Sequence, residues 1–280
     1  EENKKVEPYF YMPIIPFVLV NGSKGIGSGF SSTIPPHNII DVIENVQRLL
    51  DGNPLKKIIP FWKNFRGVVQ THSDSKYFTN GVFSNNVITE LPIGVSIEKY
   101  MEHLSKLQGL KKIKKFNLDY SDTNISITIQ PTESFDEKDL KLQTSISANN
   151  MYLWSTKKVL KKYTIDTIFK THFEERLRLY QSRIQHDIDV TQKEYEYQTK
   201  KIECIQLVQQ NGVDVVMEDN EFSNLPISEF KKLKENQKKA DALAQKIKEL
   251  KSSSAKELWT KELMELKNKL VLKKRNLDQV

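Results

Sequence analysis

From Thr164 onward the sequence commits to helix. Phe169, Phe173, Leu177, Tyr180, Ile184 and Ile188 recur at steps of four, four, three, four and four, and Tyr195, Ile202 and Ile205 continue the stripe. Only the α-helical period places such a set on one face. At 1.5 Å per residue, a helix over Thr164–Gln210 is a rod roughly 70 Å long. Asn211-Gly212 is a stop signal, Asp219 to Pro226 reads as a connector, and Ser228 reads as the cap of a second helix. That helix would align Phe230, Leu233, Ala240, Leu243, Ile247 and Leu250. Ser252-Ser253-Ser254 interrupts it before a last helix with Leu258, Trp259, Leu263, Leu266 and Leu270. Two helical runs joined by a short tip predict an antiparallel coiled-coil arm; a bundle closing on itself is the alternative.

The residues before Thr164 follow different periods. Phe17-Val18-Leu19-Val20 reads as a strand turned by Asn21-Gly22, and Val68-Val69-Gln70-Thr71 and Gly81-Val82-Phe83 read as strands around a turn region from Ser73 to Asn80. Val87 to Leu91 is another strand, ended by Pro92. Ile125-Ser126-Ile127-Thr128-Ile129 alternates as a half-buried strand does. A helix capped near Asn38 carries Ile39, Ile43, Val46 and Leu50 to a stop at Asp51-Gly52, and a second runs from the cap Ser96 to about Leu107. The expected class is therefore α+β: a mixed body followed by the long arm.

Composition narrows the possibilities. The 280 residues are ample for a buried core. The longest apolar stretch, Met12 to Val20, is too short to cross a bilayer and is broken by Pro13 and Pro16. The chain starts at Glu1 without a signal-peptide pattern, as an excised piece of a longer protein would. One cysteine, Cys204, excludes a disulfide framework. The net charge of +7 lies on the last helices, where Glu229–Val280 carry 15 basic and 8 acidic residues. A basic chain invites nucleic acid, but here the excess can equally be a solvated helical face. Any such surface in the first part must be local. The candidate runs are Lys56-Lys57 with Lys63 and Arg66, Lys111-Lys112 with Lys114-Lys115, and Lys157-Lys158 with Lys161-Lys162.

No complete active site is legible. Gly25-Ile26-Gly27-Ser28-Gly29 reads as a loop, but Phe30 stands where a phosphate loop needs lysine, so nucleotide binding is not supported. His37, His72, His103, His172 and His186 lack metal-ligand spacing, and Glu133, Asp136, Glu137 and Asp139 lack a calcium-loop pattern. The more pointed segment is Ser31-Ser32-Thr33-Ile34-Pro35-Pro36. Two prolines stiffen the chain beyond Ile34, and hydroxyls precede it. A rigid apolar tip among phosphate-holding hydroxyls suits a wedge entering DNA; a buried Ile leading into a helix is the other reading.

Several motifs resemble type IIA DNA topoisomerases: Val6-Glu7-Pro8, Tyr11 to Pro16, Val18 to Gly22, Gly25 to Gly29, Ile34-Pro35 and Lys63-Asn64-Phe65-Arg66-Gly67. Ile88 to Pro92 resembles the family's tower, and Leu258-Trp259 with Leu263 the end of its arm. The opening is similar to eukaryotic and large-virus enzymes. The resemblance implies the end of a winged-helix region with a DNA-wedge loop at 1–36, a tower at 37–163, and a coiled-coil arm with a small helical exit gate at 164–280. It implies double-stranded DNA as partner, with Ile34 and Pro35 as wedge and Lys24, Ser31, Thr33 and Lys63 as backbone contacts. It implies a homodimer closed through the exit gate, no membrane, and Mg2+ and ATP as cofactors of the full-length enzyme only. The compartment would be the nucleus, or a host cytoplasm or virion for a viral member. The nucleophilic tyrosine of that family follows an arginine, and no Arg-Tyr pair occurs here; Tyr9 and Tyr11 sit in another motif. The chain is therefore expected to shape DNA without cutting it. The short tip, Gly212 to Ile227, puts stable closure of the dimer in question. From the residues alone, a coiled-coil scaffold or an architectural DNA-bending protein stays as the alternative.

Overall fold

The computed structural model describes residues 7, 10–121, 123–155, 157–211, 228 and 231–277. The chain divides into two compact units, Glu1–His172 and Phe173–Val280.

The first unit is mixed α and β. Phe17–Asn21 forms a short helix, α1, where the sequence reads as a strand. Pro16 starts it by accepting the Leu19 N–H at 2.9 Å, and Leu19 is wholly buried. A tertiary site for one leucine thus overrides the β preference of a four-residue run. The Gly-rich segment is not a loop but a two-stranded antiparallel ribbon, β1 (Ser23–Gly27) and β2 (Phe30–Ile34). Its turn uses Gly29 at φ +80°, a left-handed conformation that favours glycine.

Helix α2 (Ile39–Leu50) begins as the sequence predicts, with Asn38 Oδ1 accepting the Ile40 N–H at 2.9 Å. Val42, Ile43, Val46 and Leu50 form its buried face. Buried Asn45 holds the following loop. Its amide donates to the Lys56 carbonyl at 3.0 Å, and its Oδ1 accepts the Lys56 N–H at 2.7 Å.

Two sheets follow. One joins β3 (Val68–Ser73), β4 (Lys76–Asn80) and β9 (Gln143–Ser147) in the order β3-β4-β9. The predicted turn region at Ser73–Asn80 is thus mostly strand. The other joins β5 (Val82–Ser84), β6 (Val87–Glu90), β8 (Ile125–Pro131) and β7 (Ile113–Tyr120), with every pairing antiparallel. Helix α3 (Ile97–Gly109), capped by Ser96, packs Tyr100, Leu104 and Leu107 into one core with Ile88, Ile113, Ile127 and Ile129. The Tyr100 hydroxyl donates to the Leu140 carbonyl at 2.9 Å, and burial pushes its phenol well above the usual range. A last ribbon, β10 (Tyr152–Trp154) with β11 (Leu160–Lys162), precedes the long helix.

Helix α4 runs Ile165–Asn211, within a residue of the predicted limits. In the second unit the expected stripe is the packed one: Tyr180, Ile202 and Ile205 are buried and the intervening members are half-buried. Helix α5 (Leu233–Ser252) packs Leu233 against Cys204, Ile205 and Val208 near the end of α4. After Ser253-Ser254, α6 (Ala255–Leu277) brings Trp259 back to the start of this unit's share of α4. There Trp259 lies stacked between Phe173, 5.3 Å away, and Tyr180, 5.6 Å away. The return path is therefore antiparallel, as the pattern predicts. Ser228 does not cap α5. The helix starts five residues later, after Lys232, with no side-chain cap. The predicted tip, Gly212 to Ile227, the connector within it and Phe230 lie outside the described residues.

Candidate nucleic-acid interface

Antiparallel pairing fixes which residues of the β1–β2 ribbon share a face. Lys24 lies opposite Thr33 and Ile26 opposite Ser31. Side chains alternate along a strand, so Lys24, Ile26, Ser31 and Thr33 occupy one face and Phe30, Ser32 and Ile34 the other. The second face is attached to the body. The Ser32 hydroxyl donates to the Tyr152 carbonyl at 2.9 Å and accepts the Tyr152 N–H at 3.0 Å. The Phe30 and Tyr152 rings meet edge to face at 5.9 Å. Ile34 is 2% exposed and Pro35 is buried. Asn150 secures the strand further, accepting the Thr33 N–H at 2.8 Å and donating to the carbonyl and hydroxyl of Ser31, both at 2.7 Å.

In the chain as it stands Ile34 is therefore covered, as the other reading of the sequence has it. The prolines stiffen its backbone as the sequence predicts, but they seat the side chain in the interior. Gly22, at φ +68°, makes this close approach possible: a Cβ there would stand 2.8 Å from the Ile34 carbonyl oxygen and 2.9 Å from the Pro36 nitrogen. The apolar residue that projects is Ile26, 85% exposed, on the face that carries Lys24 and Ser31. Sequence reasoning passed over it because the segment read as a loop, in which no face is defined.

Three residues past β2 comes His37, buried at 2% exposure. Its N–H donates to the Leu19 carbonyl at 2.7 Å, and its Nδ1 lies 3.2 Å from the same oxygen. Its Nε2 is buried without a hydrogen-bond partner. Burial lowers its pKa to about 4, against the opposing pull of the Leu19 and Pro35 carbonyls, so the ring is neutral near pH 7. The Phe61 N–H donates to the Pro36 carbonyl at 2.8 Å, which fixes the loop carrying exposed Lys63 to the base of the ribbon.

The three basic runs differ in character. Lys57 pairs with Asp74 at 2.8 Å, and Lys112 with Asp139 at 3.3 Å. Lys157, Lys161 and Lys162 are exposed around the β10–β11 ribbon beside Trp154, itself exposed. The acids near 133–139 build a short 3-10 turn instead of a cation loop. Asp136 Oδ1 accepts the Lys138 N–H at 2.9 Å, and Asp139 Oδ2 accepts the Asp136 N–H at 3.0 Å. That backbone bond, with Lys112 beside it, holds the Asp139 carboxyl below its usual range despite some desolvation. Among the described residues no three His, Cys, Asp or Glu side chains are grouped to hold a metal ion. Among them, too, no helix is long and apolar enough to cross a membrane.

The chain belongs to the DNA gyrase/topoisomerase IV A-subunit family, which it matches over residues 1–279. DNA topoisomerase 2-alpha of Cricetulus griseus is 37% identical over 200 residues, covering 64% of this chain and 13% of the relative. DNA topoisomerase 2 of Plasmodium falciparum is 33% identical over 233 residues, covering 77% of this chain and 17% of the relative. The chain thus spans about an eighth to a sixth of the length of these curated relatives. A solved structure, the Plasmodium falciparum topoisomerase II DNA-binding, cleavage and re-ligation domain, superposes with a TM-score of 0.76 at 25% identity, covering 98% of this chain and 47% of that one.

Proposed function

We propose that this chain is the DNA-binding and gate-supporting portion of an ATP-dependent type II DNA topoisomerase, which bends and holds the cleaved gate duplex while a second duplex passes. The observation that carries this reading is the family match along residues 1–279, together with the likeness in fold to a DNA-binding, cleavage and re-ligation domain. The scaffold reading draws no support from either.

In this proposal Lys24, Ser31 and Thr33 hold phosphates on the open face of the ribbon, and Lys63 holds another at its base. Ile34 and Pro35 mark where the duplex bends. Ile34 is buried as the chain stands, so its entry between base pairs requires a bound form in which it is uncovered. Bending costs several kcal/mol, which the added phosphate contacts of a bent duplex offset. The domain limits at 36 and 163 belong to the same proposal, as does homodimerisation through the exit gate. Mg2+ and ATP serve the longer enzyme. Such a chain works in the nucleus of a eukaryotic cell, or in a host cytoplasm or virion for a viral member.

The test is duplex bending followed by energy transfer between dyes at the two ends of a short DNA. The parent bends the duplex at low salt, and Ile34→Ala binds it with a smaller bend. A parent chain that does not bind duplex at low salt overturns the proposal. An Ile34→Ala chain that bends it fully removes the wedge role.

A further inference from the structure

Within the DNA-binding reading above, we propose that Ile26 is the apolar contact of the β1–β2 ribbon with the duplex, lying against base and sugar surface between phosphates held by Lys24, Ser31 and Thr33. Ile26 is 85% exposed, the most exposed large hydrophobic side chain among the described residues. Its cross-strand partner is Ser31, and the next pair on the same face is Lys24 with Thr33. An aliphatic group is thus set beside one cation and two hydroxyls, the combination that meets a groove and its flanking phosphates.

Three further features favour a nucleic-acid occupant. The segment from Gly22 to Pro36 carries one lysine and no acid, so nothing in it repels phosphate. The Ser31 hydroxyl oxygen already accepts from Asn150 at 2.7 Å. Its proton is therefore free to be directed outward to an acceptor. Bonds to Asn150 and Tyr152 anchor the ribbon, so it presents its Ile26 face as a fixed surface.

The experiment measures binding of this chain to a fluorescent duplex across a salt series, for the parent, Ile26→Asn and Lys24→Ala. Ile26→Asn is expected to weaken binding about tenfold, the scale of one lost apolar burial, and to leave the salt slope unchanged. Lys24→Ala is expected to reduce that slope by about 1. Ile26 makes no buried contact, so thermal unfolding of Ile26→Asn should match the parent. A photoreactive benzophenone residue placed at position 26 should crosslink to DNA. Parental affinity in Ile26→Asn, or crosslinks to protein alone, overturns the proposal while leaving the DNA-binding reading intact if Lys24→Ala still weakens binding. Failure of the parent to bind overturns both.

Discussion

His37 is a small case in which burial sets chemistry. Its folded pKa, about 4, lies below the ordinary value of 6.5. An unfolded chain therefore takes up this proton first as pH falls. Stability from the neutral ring is complete above the ordinary value, is lost as pH drops through the interval, and stays flat below the folded value. The shift corresponds to about 3 kcal/mol at the scale of 1.36 kcal/mol per unit. Urea unfolding of the first unit should show this loss between about pH 7 and about pH 4, and His37→Gln should show a smaller one. Gly22 offers a second residue-level test. Alanine there combines an unfavourable positive φ with backbone contacts of 2.8 and 2.9 Å. Gly22→Ala should cost about 1–3 kcal/mol and lower the melting temperature of the first unit.

Among the elements, helices were far more legible than strands. The α4 stripe repeats often enough to define its own face, and the caps Asn38 and Ser96 announce α2 and α3. Ribbons carry little such signal. β1 consists of Ser23-Lys24-Gly25-Ile26-Gly27, with no apolar alternation, because all five residues are exposed and no core demands it. β10 and β11 are three residues each, and β7 and β9 expose most of their positions. The face of the ribbon that defines the candidate site is set by pairing register, which residue types alone do not encode. In the helical unit, one aromatic carries much of the packing. Trp259 is fully buried between Phe173 and Tyr180, and Glu262 on the next turn accepts from the Tyr180 hydroxyl and pairs with Arg183 at 2.8 Å. Burial and the Glu262 bond push the Tyr180 phenol up to about 12. Trp259→Ala should cost about 3–5 kcal/mol. Helical ellipticity at 222 nm should then melt at a lower temperature, while near-ultraviolet signals from the first unit persist.

For the molecule as a whole, the net charge of +7 and the candidate interface fall on different parts of the chain. The excess sits on the last helices, whereas the candidate interface rests on a few local cations, Lys24 and Lys63 among them. Binding driven by a handful of phosphate contacts should lose affinity with a log–log salt slope of about −0.9 per phosphate neutralised. A slope near −3 to −5 would match a local patch by this rule; a much steeper one would implicate the basic helices. Anisotropy titrations between about 50 and 200 mM salt cover the range in which the two cases separate. The chain contains no Arg-Tyr pair, and purified chain should leave supercoiled plasmid unrelaxed on an agarose gel. The ribbon also constrains how such a chain can drift in sequence. Deleting one residue from β1 would transpose its two sides, turning the isoleucine toward the body and a glycine outward. Tape of this kind tolerates changes of letter more readily than changes of length.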